Sequence, residues 1–184
     1  MDLDTSHKMF LICGEQNNKF PYIKQILHLY LSKSYFSFGM IYSDDTANYF
    51  EFNETWNHSF SKQNFLSYLN MIEDEKNIEP SFLVLDCVNL SDFRNDGRMQ
   101  GFIQNHKKYK ISIFIKIKSF LEIPKIIENN IDHLILFKNL DKKSLLFFAN
   151  FIENKCSLKK VQKILESHSQ CQVDLKTKII NTQL

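Results

Sequence analysis

The sequence is poor in glycine, proline and cysteine, and each shortage excludes a class of structure. Only four of its 184 residues are glycine and three are proline. Because glycine permits the close backbone approaches that cradle phosphates, its scarcity counts against a glycine-rich ligand loop. The four cysteines are far apart and form no CxxC pair. They predict buried thiols in a reducing compartment and exclude a disulfide framework or a cysteine-bound zinc site.

Long apolar runs and a strong net charge are also missing. No apolar run approaches the roughly 18 residues that span a bilayer, and the polar, acidic first residues do not resemble a signal peptide. A net charge of +2 is too small to indicate nucleic-acid binding by itself. The sequence is instead 43% hydrophobic, with 17 phenylalanines, which is enough for one substantial core. We therefore expect a soluble, cytoplasmic protein with no membrane partner.

Short apolar segments alternate with helical patterns along the chain. The apolar segments predict strands at 9–13, 38–42, 82–85, 111–117 and 134–137. Apolar residues at helical spacing predict helices at 22–31, 63–72 and 145–152. A polar loop is expected at 95–98, with short helices near Phe102 and at 121–127. The alternation predicts an α/β fold, a largely parallel sheet with helices on both faces. Residues 1–156 are assigned to this domain, and 157–184 to a helix, a partial strand at 171–175 and a tail.

Two strand ends are candidates for a ligand site, since parallel sheets bind ligands at the carboxyl ends of their strands. A phosphate-binding loop requires G-x-x-x-x-G-K-[ST] after the first strand. The turn at 14–21 reads GEQNNKFP. Gly14 is present and Lys19 lies one place early, but Phe20 and Pro21 stand where Lys and Ser/Thr are expected. Pro21 also removes a backbone donor. Alone, this is an ordinary strand-to-helix turn.

The second candidate is Asp86, at the end of the apolar segment FLVL. This is the form of a Walker B strand, whose carboxylate holds Mg²⁺, although many parallel strands end in Asp as a helix cap. Further along come KISIFIKIK at 110–118, Ile123-Pro124 and NIDHLILFK at 130–138. The ordered set resembles the DNA-packaging ATPases of nucleocytoplasmic large DNA viruses such as poxviruses, relatives of the FtsK–HerA superfamily. The resemblance runs from about residue 9 to 152 and implies a P-loop NTPase-like fold in a degenerate, shortened form.

The positions that carry chemistry in that family are changed here. In the family, a second acid follows the Mg²⁺-binding one, an Arg-His segment comes next, a strand ends in Gln, and an Ile-Arg-x-Asn-x-Asp run precedes a Leu-Phe-Lys strand. Asp86, Asn130 and Asp132 match that pattern. The departures are Cys87 at the second acid, Lys107 and Lys108 at Arg-His, Lys118 at the sensor Gln, and Glu128 at the Arg.

These departures remove groups that phosphoryl transfer needs. A thiol polarises water poorly, and loss of an arginine that stabilises the transferring phosphoryl group lowers the rate by about 10³–10⁵. We therefore expect a pseudoenzyme with no catalytic residue. Gly14, Lys19 and Asp86 would form the remnant of a nucleotide and Mg²⁺ site, and we expect their strand ends to lie side by side in one sheet. No cofactor or metal is expected, and ATP with Mg²⁺ would bind only if residual binding persists.

A row of lysines raises the question of DNA binding. On the predicted strand at 110–118, one face carries Lys110, Ser112, Phe114, Lys116 and Lys118, and the isoleucines lie on the other. The row is either a basic stripe for DNA phosphates or the solvated face of an edge strand. If the strand is central, Lys116 and Lys118 emerge at the ligand edge and are the candidate DNA contacts.

The resemblance leads to one main functional expectation and two alternatives. The chain is expected to be a viral or virus-derived packaging-ATPase-like protein that acts as a non-catalytic assembly or regulatory partner. A viral or host protein would be its partner, in the host cytoplasm or virus factory. Active relatives assemble as rings, so an oligomer and a DNA partner are compatible with this role. The alternatives are a repurposed protein-binding module with an exposed apolar patch, and a weak residual ATPase that uses Asp86 and Lys19.

Overall fold

The computed structural model describes most of the chain. The described residues are 7–14, 22–33, 35–43, 49, 51–52, 56–75, 79–86, 88–117, 123–137, 140, 144, 148, 151, 158–168, 170–175 and 179–181. The predicted helix at 145–152 falls largely outside them.

Eight strands and six helices are described. The strands are β1 Met9–Cys13, β2 Phe38–Ser43, β3 Asn57–His58, β4 Ser81–Asp86, β5 Ile111–Ile117, β6 His133–Phe137, β7 Gln170–Asp174 and β8 Ile180–Asn181. The helices are α1 Tyr22–Ser32, α2 Lys62–Asp74, α3 Asp92–Asn95, α4 Gly97–Asn105, α5 Lys125–Glu128 and α6 Leu158–Ser167. No helix among these residues is both long and apolar enough to traverse a bilayer.

All eight strands belong to one sheet, in the order β3-β2-β4-β5-β1-β6-β7-β8. The pairs among β1 to β6 are parallel. β7 and β8 continue the same sheet in antiparallel pairing, and β7 corresponds to the strand predicted at 171–175. The predicted α/β fold with a largely parallel sheet is confirmed. β1, the first strand in the chain, lies near the middle of the sheet between β5 and β6.

Both faces of the sheet are covered, which explains why its central strands are continuous apolar runs. One face packs against α2, α3, α4 and α5, which contribute Phe65, Phe93, Phe102 and Ile127 among others. The opposite face packs against α1, which contributes Ile23, Ile26, Leu27 and Tyr30. Helices therefore pack against both sides of one buried sheet.

The edge-strand interpretation of β5 is wrong, because β5 lies between β4 and β1. Its alternation is as predicted: the isoleucines pack in the core on the α2 side, and Phe114 packs on the α1 side. Ser112 and Phe114 are buried, so within the described strand the polar face is reduced to Lys116 at its carboxyl end. Lys110 precedes the strand in a left-handed backbone conformation with φ 52°. Lys118 lies outside the described residues.

The segment between β4 and β5 is more helical than the sequence indicates. The loop expected at 95–98 is instead the junction of α3 and α4, and α4 begins five residues before Phe102. The reason is a cap: the Asp96 carboxylate accepts hydrogen bonds from the backbone N–H groups of Arg98 and Met99. These bonds satisfy donors that the first turn of a helix leaves free, which offsets the poor helix propensity of Gly97.

Gly39 in β2 gives a stability prediction. It lies in register with Phe82 of β4, and a Cβ added there would lie 2.0 Å from the Phe82 ring. Gly39→Ala is expected to lower the free energy of unfolding by about 1–3 kcal/mol, because the ring must move within a packed core. Gly101→Ala in α4 is the matched control, since its Cβ would meet nothing within 4 Å. The control should raise stability by about 0.5–1 kcal/mol. Urea unfolding followed by circular dichroism measures both, and equal midpoints would contradict the prediction.

Candidate functional site

The strand ends that the sequence singled out lie at one edge of the sheet. Gly14 follows β1 and Asp86 ends β4, and both strands run in the same direction within one sheet. They are not side by side as expected, because β5 lies between them. Two strand spacings separate them by roughly 10 Å. Lys116 of β5 fills the intervening position, in register with Ile12 on one side and Asp86 on the other.

The Asp86 carboxylate is the centre of this edge. The residue is only 3% exposed. The Tyr49 hydroxyl donates a hydrogen bond of 2.8 Å to its Oδ2. The Lys116 Nζ lies 3.0 Å from its Oδ1, in an ion pair without the alignment of a hydrogen bond. Both carboxylate oxygens therefore have a partner, and the negative charge of Asp86 is balanced by the chain itself.

Strand alternation places these groups on the same face. Phe82 and Val84 pack on the α1 side of β4, and Phe114 packs on that side of β5. Since side chains of one strand alternate between the two faces, Asp86 and Lys116 point to the α1 side as well. They are direct neighbours in the register of β4 and β5. The pairing of these two strands therefore brings the carboxylate and the ammonium group together.

Tyr49 also contacts α1, through Lys24. It is fully buried, and the Lys24 Nζ lies 5.8 Å from the centre of its ring. Lys24 is itself buried and pairs with Glu51, Nζ to Oε2 3.1 Å. Burial raises the pKa of Glu51, but the hydrogen bonds from Lys24 and His28 outweigh it, so the pKa is lowered. A chain of polar contacts therefore runs from α1 through Tyr49 to Asp86.

Sequence reasoning missed Lys24, Tyr49 and Glu51. Lys24 could have been predicted, because it lies three residues before Leu27 on the apolar side of α1. A lysine that is buried there needs a partner for its charge. Tyr49 and Glu51 lie between β2 and β3 with no periodic pattern around them. Nothing in the local sequence indicates that this tyrosine reaches the end of β4.

The residues at this edge do not fit the Mg²⁺ ion that a Walker B carboxylate would hold. A hard cation binds directly to carboxylate oxygens or through its own waters. Here an ammonium group and a hydroxyl already contact the two oxygens of Asp86. Across the described ranges, no group of three or more His, Cys, Asp or Glu side chains is arranged to hold a metal ion. Asp86 therefore lies where the chain itself supplies the positive charge, through Lys116.

Gly14 has a definite structural role. Its φ of +112° is a conformation that side chains rarely adopt, and a Cβ there would lie 3.0 Å from the Cβ of Phe137. It allows β1 to turn tightly against the end of β6. The other residues assigned to the phosphate loop and its surroundings lie outside the described residues: Lys19, Phe20, Pro21, Cys87 and Lys118.

Several positions matched to the packaging family lie elsewhere. Asp132 and Lys107 meet at the opposite, amino edge of the sheet, Oδ1 to Nζ 2.8 Å, and the other Asp132 oxygen accepts the backbone N–H of Met9 at 3.0 Å. Asn130 donates to the backbone carbonyl of Ile126. Glu128, in α5, pairs with Lys125 at 2.8 Å. None of these contacts involves Asp86.

His106, close to the amino edge, makes stability depend on pH. It is 1% exposed and its Nδ1 donates to the Ile103 carbonyl at 2.8 Å. Burial lowers the pKa of His106. The hydrogen bond to the Ile103 carbonyl opposes this effect, Lys107 lowers the pKa further and Asp132 raises it, and the net change is a lowered pKa. A histidine whose pKa is lowered by folding stabilises the protein fully above its unfolded value of about 6.5, and this contribution is lost as the pH falls.

Between pH 7.5 and 5.5, wild type is therefore expected to lose more stability than His106→Gln. His168→Gln, at an exposed position, is the control and should follow wild type. Urea titrations at the two pH values measure the difference. Equal losses in wild type and His106→Gln would contradict it.

Comparison with known proteins identifies the fold. No protein-family model and no curated protein matches the chain. Solved structures do match, and they show that the chain has the P-loop NTPase-like fold of viral genome-packaging NTPases. The resemblance predicted from the sequence is thus confirmed at the level of the fold.

One of these structures is B204, the genome packaging NTPase of Sulfolobus turreted icosahedral virus 2. Its complex with ATP-gammaS matches with a TM-score of 0.75 and 12% identity, covering 98% of this chain and 98% of that one. The DNA-packaging ATPase B204 from Sulfolobus Turreted Icosahedral Virus matches with a TM-score of 0.69 and 12% identity, over 95% and 96% of the two chains. The cytoplasmic domain of EssC gives a TM-score of 0.50 and 14% identity, over 74% of this chain and 31% of that one.

Proposed function

We propose that this chain is a catalytically degenerate, packaging-ATPase-like protein that acts as a non-catalytic assembly or regulatory partner of an active packaging NTPase. The fold supports this, because the match to B204 extends over nearly the whole of both chains. The observation that carries it is the state of Asp86, whose carboxylate is buried and engaged by Lys116 and Tyr49. Such a role would place the protein in the host cytoplasm or virus factory.

The chemistry of phosphoryl transfer explains why this observation matters. Catalysis consists largely of positioning the triphosphate and balancing its charge, with a metal ion bridging the phosphate oxygens. An acid that is already neutralised by an internal lysine has little remaining attraction for that ion. The replacements predicted from the sequence at Phe20, Pro21, Cys87, Lys118 and Glu128 act in the same direction, since each removes a phosphate, water or charge contact.

Two measurements test the proposal: one of ATP hydrolysis by the chain and one of its association with a partner. Phosphate release from Mg-ATP by the purified chain should equal the buffer rate, and Asp86→Asn should leave it unchanged. When mixed with the packaging NTPase encoded by the same genome, the chain should co-elute with it and alter its ATPase rate. Mg²⁺-dependent hydrolysis that Asp86→Asn abolishes would establish the residual ATPase alternative instead.

DNA binding through Lys116 and Lys118 stays a prediction. Lys116 is ion-paired and its side chain is 26% exposed, so a phosphate contact would compete with Asp86. If DNA binds here, neutralising both lysines should weaken binding and reduce its dependence on salt. Unchanged binding in filter assays at two salt concentrations would remove these residues from consideration.

A cleft between α3, α4 and α5 favours a second candidate function, that of a protein-binding module. Its volume is about 600 Å³, and Phe93, Ile123, Pro124 and Ile126 line it together with the cations Arg94 and Lys125 and the amides Gln100 and Asn129. A cleft lined by apolar side chains together with Arg94 and Lys125 fits an acidic, apolar peptide. Arg94→Glu should abolish association with the packaging NTPase if this cleft is used, whereas Lys163→Glu on α6 should not.

A further inference from the structure

We infer that the Lys116 ammonium is the resident counter-cation of Asp86, in the place where a P-loop NTPase would hold a divalent ion, and that its charge keeps divalent cations out. This builds on the proposed function, because it concerns the same strand end. Lys116 thus determines which cation this site accepts.

The position of Lys116 follows from the sheet itself. Lys116 and Asp86 are partners in the register of β4 and β5 and lie on the same face. The ammonium nitrogen is 3.0 Å from Oδ1. A divalent ion bound to that oxygen would sit at about 2.0–2.6 Å from it. Since the ammonium already lies beside Oδ1, the ion would meet both steric overlap and the repulsion of a fixed positive charge.

The second oxygen of Asp86, Oδ2, is unavailable to a divalent cation for a different reason. Oδ2 accepts the Tyr49 hydroxyl proton at 2.8 Å, and Tyr49 is fully buried. A cation on Oδ2 would have to displace the hydroxyl group of this buried tyrosine. Lys116, with its partly exposed side chain, is the partner that can be changed without opening the core.

Terbium luminescence provides a direct test. Tb³⁺ is a hard cation that seeks oxygen ligands, as Ca²⁺ and Mg²⁺ do, and it emits when a nearby tyrosine is excited. Tyr49 is in hydrogen-bond contact with Asp86, so Tb³⁺ bound to Asp86 would be next to a sensitiser. The titration is done without nucleotide, and Mg²⁺ is then added as a competitor.

Four variants are compared with wild type. Lys116→Gln, which leaves a neutral amide donor near the carboxylate, is expected to bind Tb³⁺ at least tenfold more tightly than wild type. Lys116→Arg retains the positive charge and should resemble wild type. Lys163→Gln removes the same charge from an exposed site on α6 and should also resemble wild type. Asp86→Asn combined with Lys116→Gln should lose the gain, which locates the ion at Asp86.

Two results would overturn the inference. One is a folded Lys116→Gln, verified by circular dichroism, with the wild-type isotherm. The other is tight Tb³⁺ binding by wild type that Asp86→Asn weakens, and this comparison is informative even if the Lys116 variants fail to fold. Because no nucleotide is present, ATP hydrolysis by wild type would contradict the proposed function separately, without altering these isotherms.

Discussion

Lys116→Met is expected to lower the free energy of unfolding by about 3 kcal/mol. The substitution keeps the aliphatic volume but leaves the buried Asp86 carboxylate without a countercharge, and breaking a buried ion pair from one side costs about 3–5 kcal/mol. We expect a loss at the lower end of this range because the Lys116 side chain is partly exposed. Urea unfolding at pH 7.5, followed by circular dichroism, measures the change.

A double-mutant cycle separates the charge effect from lost packing. Asp86→Asn combined with Lys116→Met removes both charges, so it should recover most of the stability that Lys116→Met alone loses. Lys163→Met, on the exposed side of α6, should change stability by less than about 0.5 kcal/mol. A double variant whose loss equals the sum of the two single losses would mean that Asp86 and Lys116 act independently.

Asp132→Ala is expected to lower the free energy of unfolding by about 2–4 kcal/mol. Asp132 is 3% exposed and joins the start of β1 to Lys107 through its two oxygens. Its removal leaves the buried Met9 N–H without its carboxylate acceptor, and an unsatisfied buried donor costs about 1–3 kcal/mol, more when a charged partner is lost.

Asp132→Asn is the matched variant for this prediction. Its carbonyl oxygen can still accept the Met9 N–H, while the ion pair with Lys107 is lost. Because Lys107 is 44% exposed, water compensates much of its charge, so Asp132→Asn should cost less than half as much as Asp132→Ala. Equal costs in urea unfolding would show that the charge, rather than the backbone bond, holds this edge.

The sequence predicted the strands well because buried parallel strands are continuous apolar runs. The prediction at 9–13 coincides with β1 and that at 111–117 with β5, and the others differ by a residue or so at their ends. β3 and β8 were not predicted, since two-residue strands carry no periodicity. The start of α4 was missed because Gly97 disfavours helix, and its cap at Asp96 compensates only once the helix is formed.

The sequence predicted individual residues of the candidate site but not the contact between them. Asp86 was identified from its place at a strand end, and Lys116 as either a solvated lysine or a DNA contact. Their contact depends on β4 and β5 being neighbours in a particular register, which is a property of the sheet and not of either segment. Tyr49 depends on the path of the chain between β2 and β3, for which the local residues provide no pattern.

The central place of β1 has a consequence for how the chain folds as it is synthesised. Met9 pairs with Ile113, and Phe10 with His133, so β1 meets its neighbours only after about a hundred further residues have been synthesised. β2 and β4 can associate earlier. Closing such long loops slows folding, and the apolar run MFLIC stays open to chaperones or to other nascent chains until β5 and β6 emerge to enclose it.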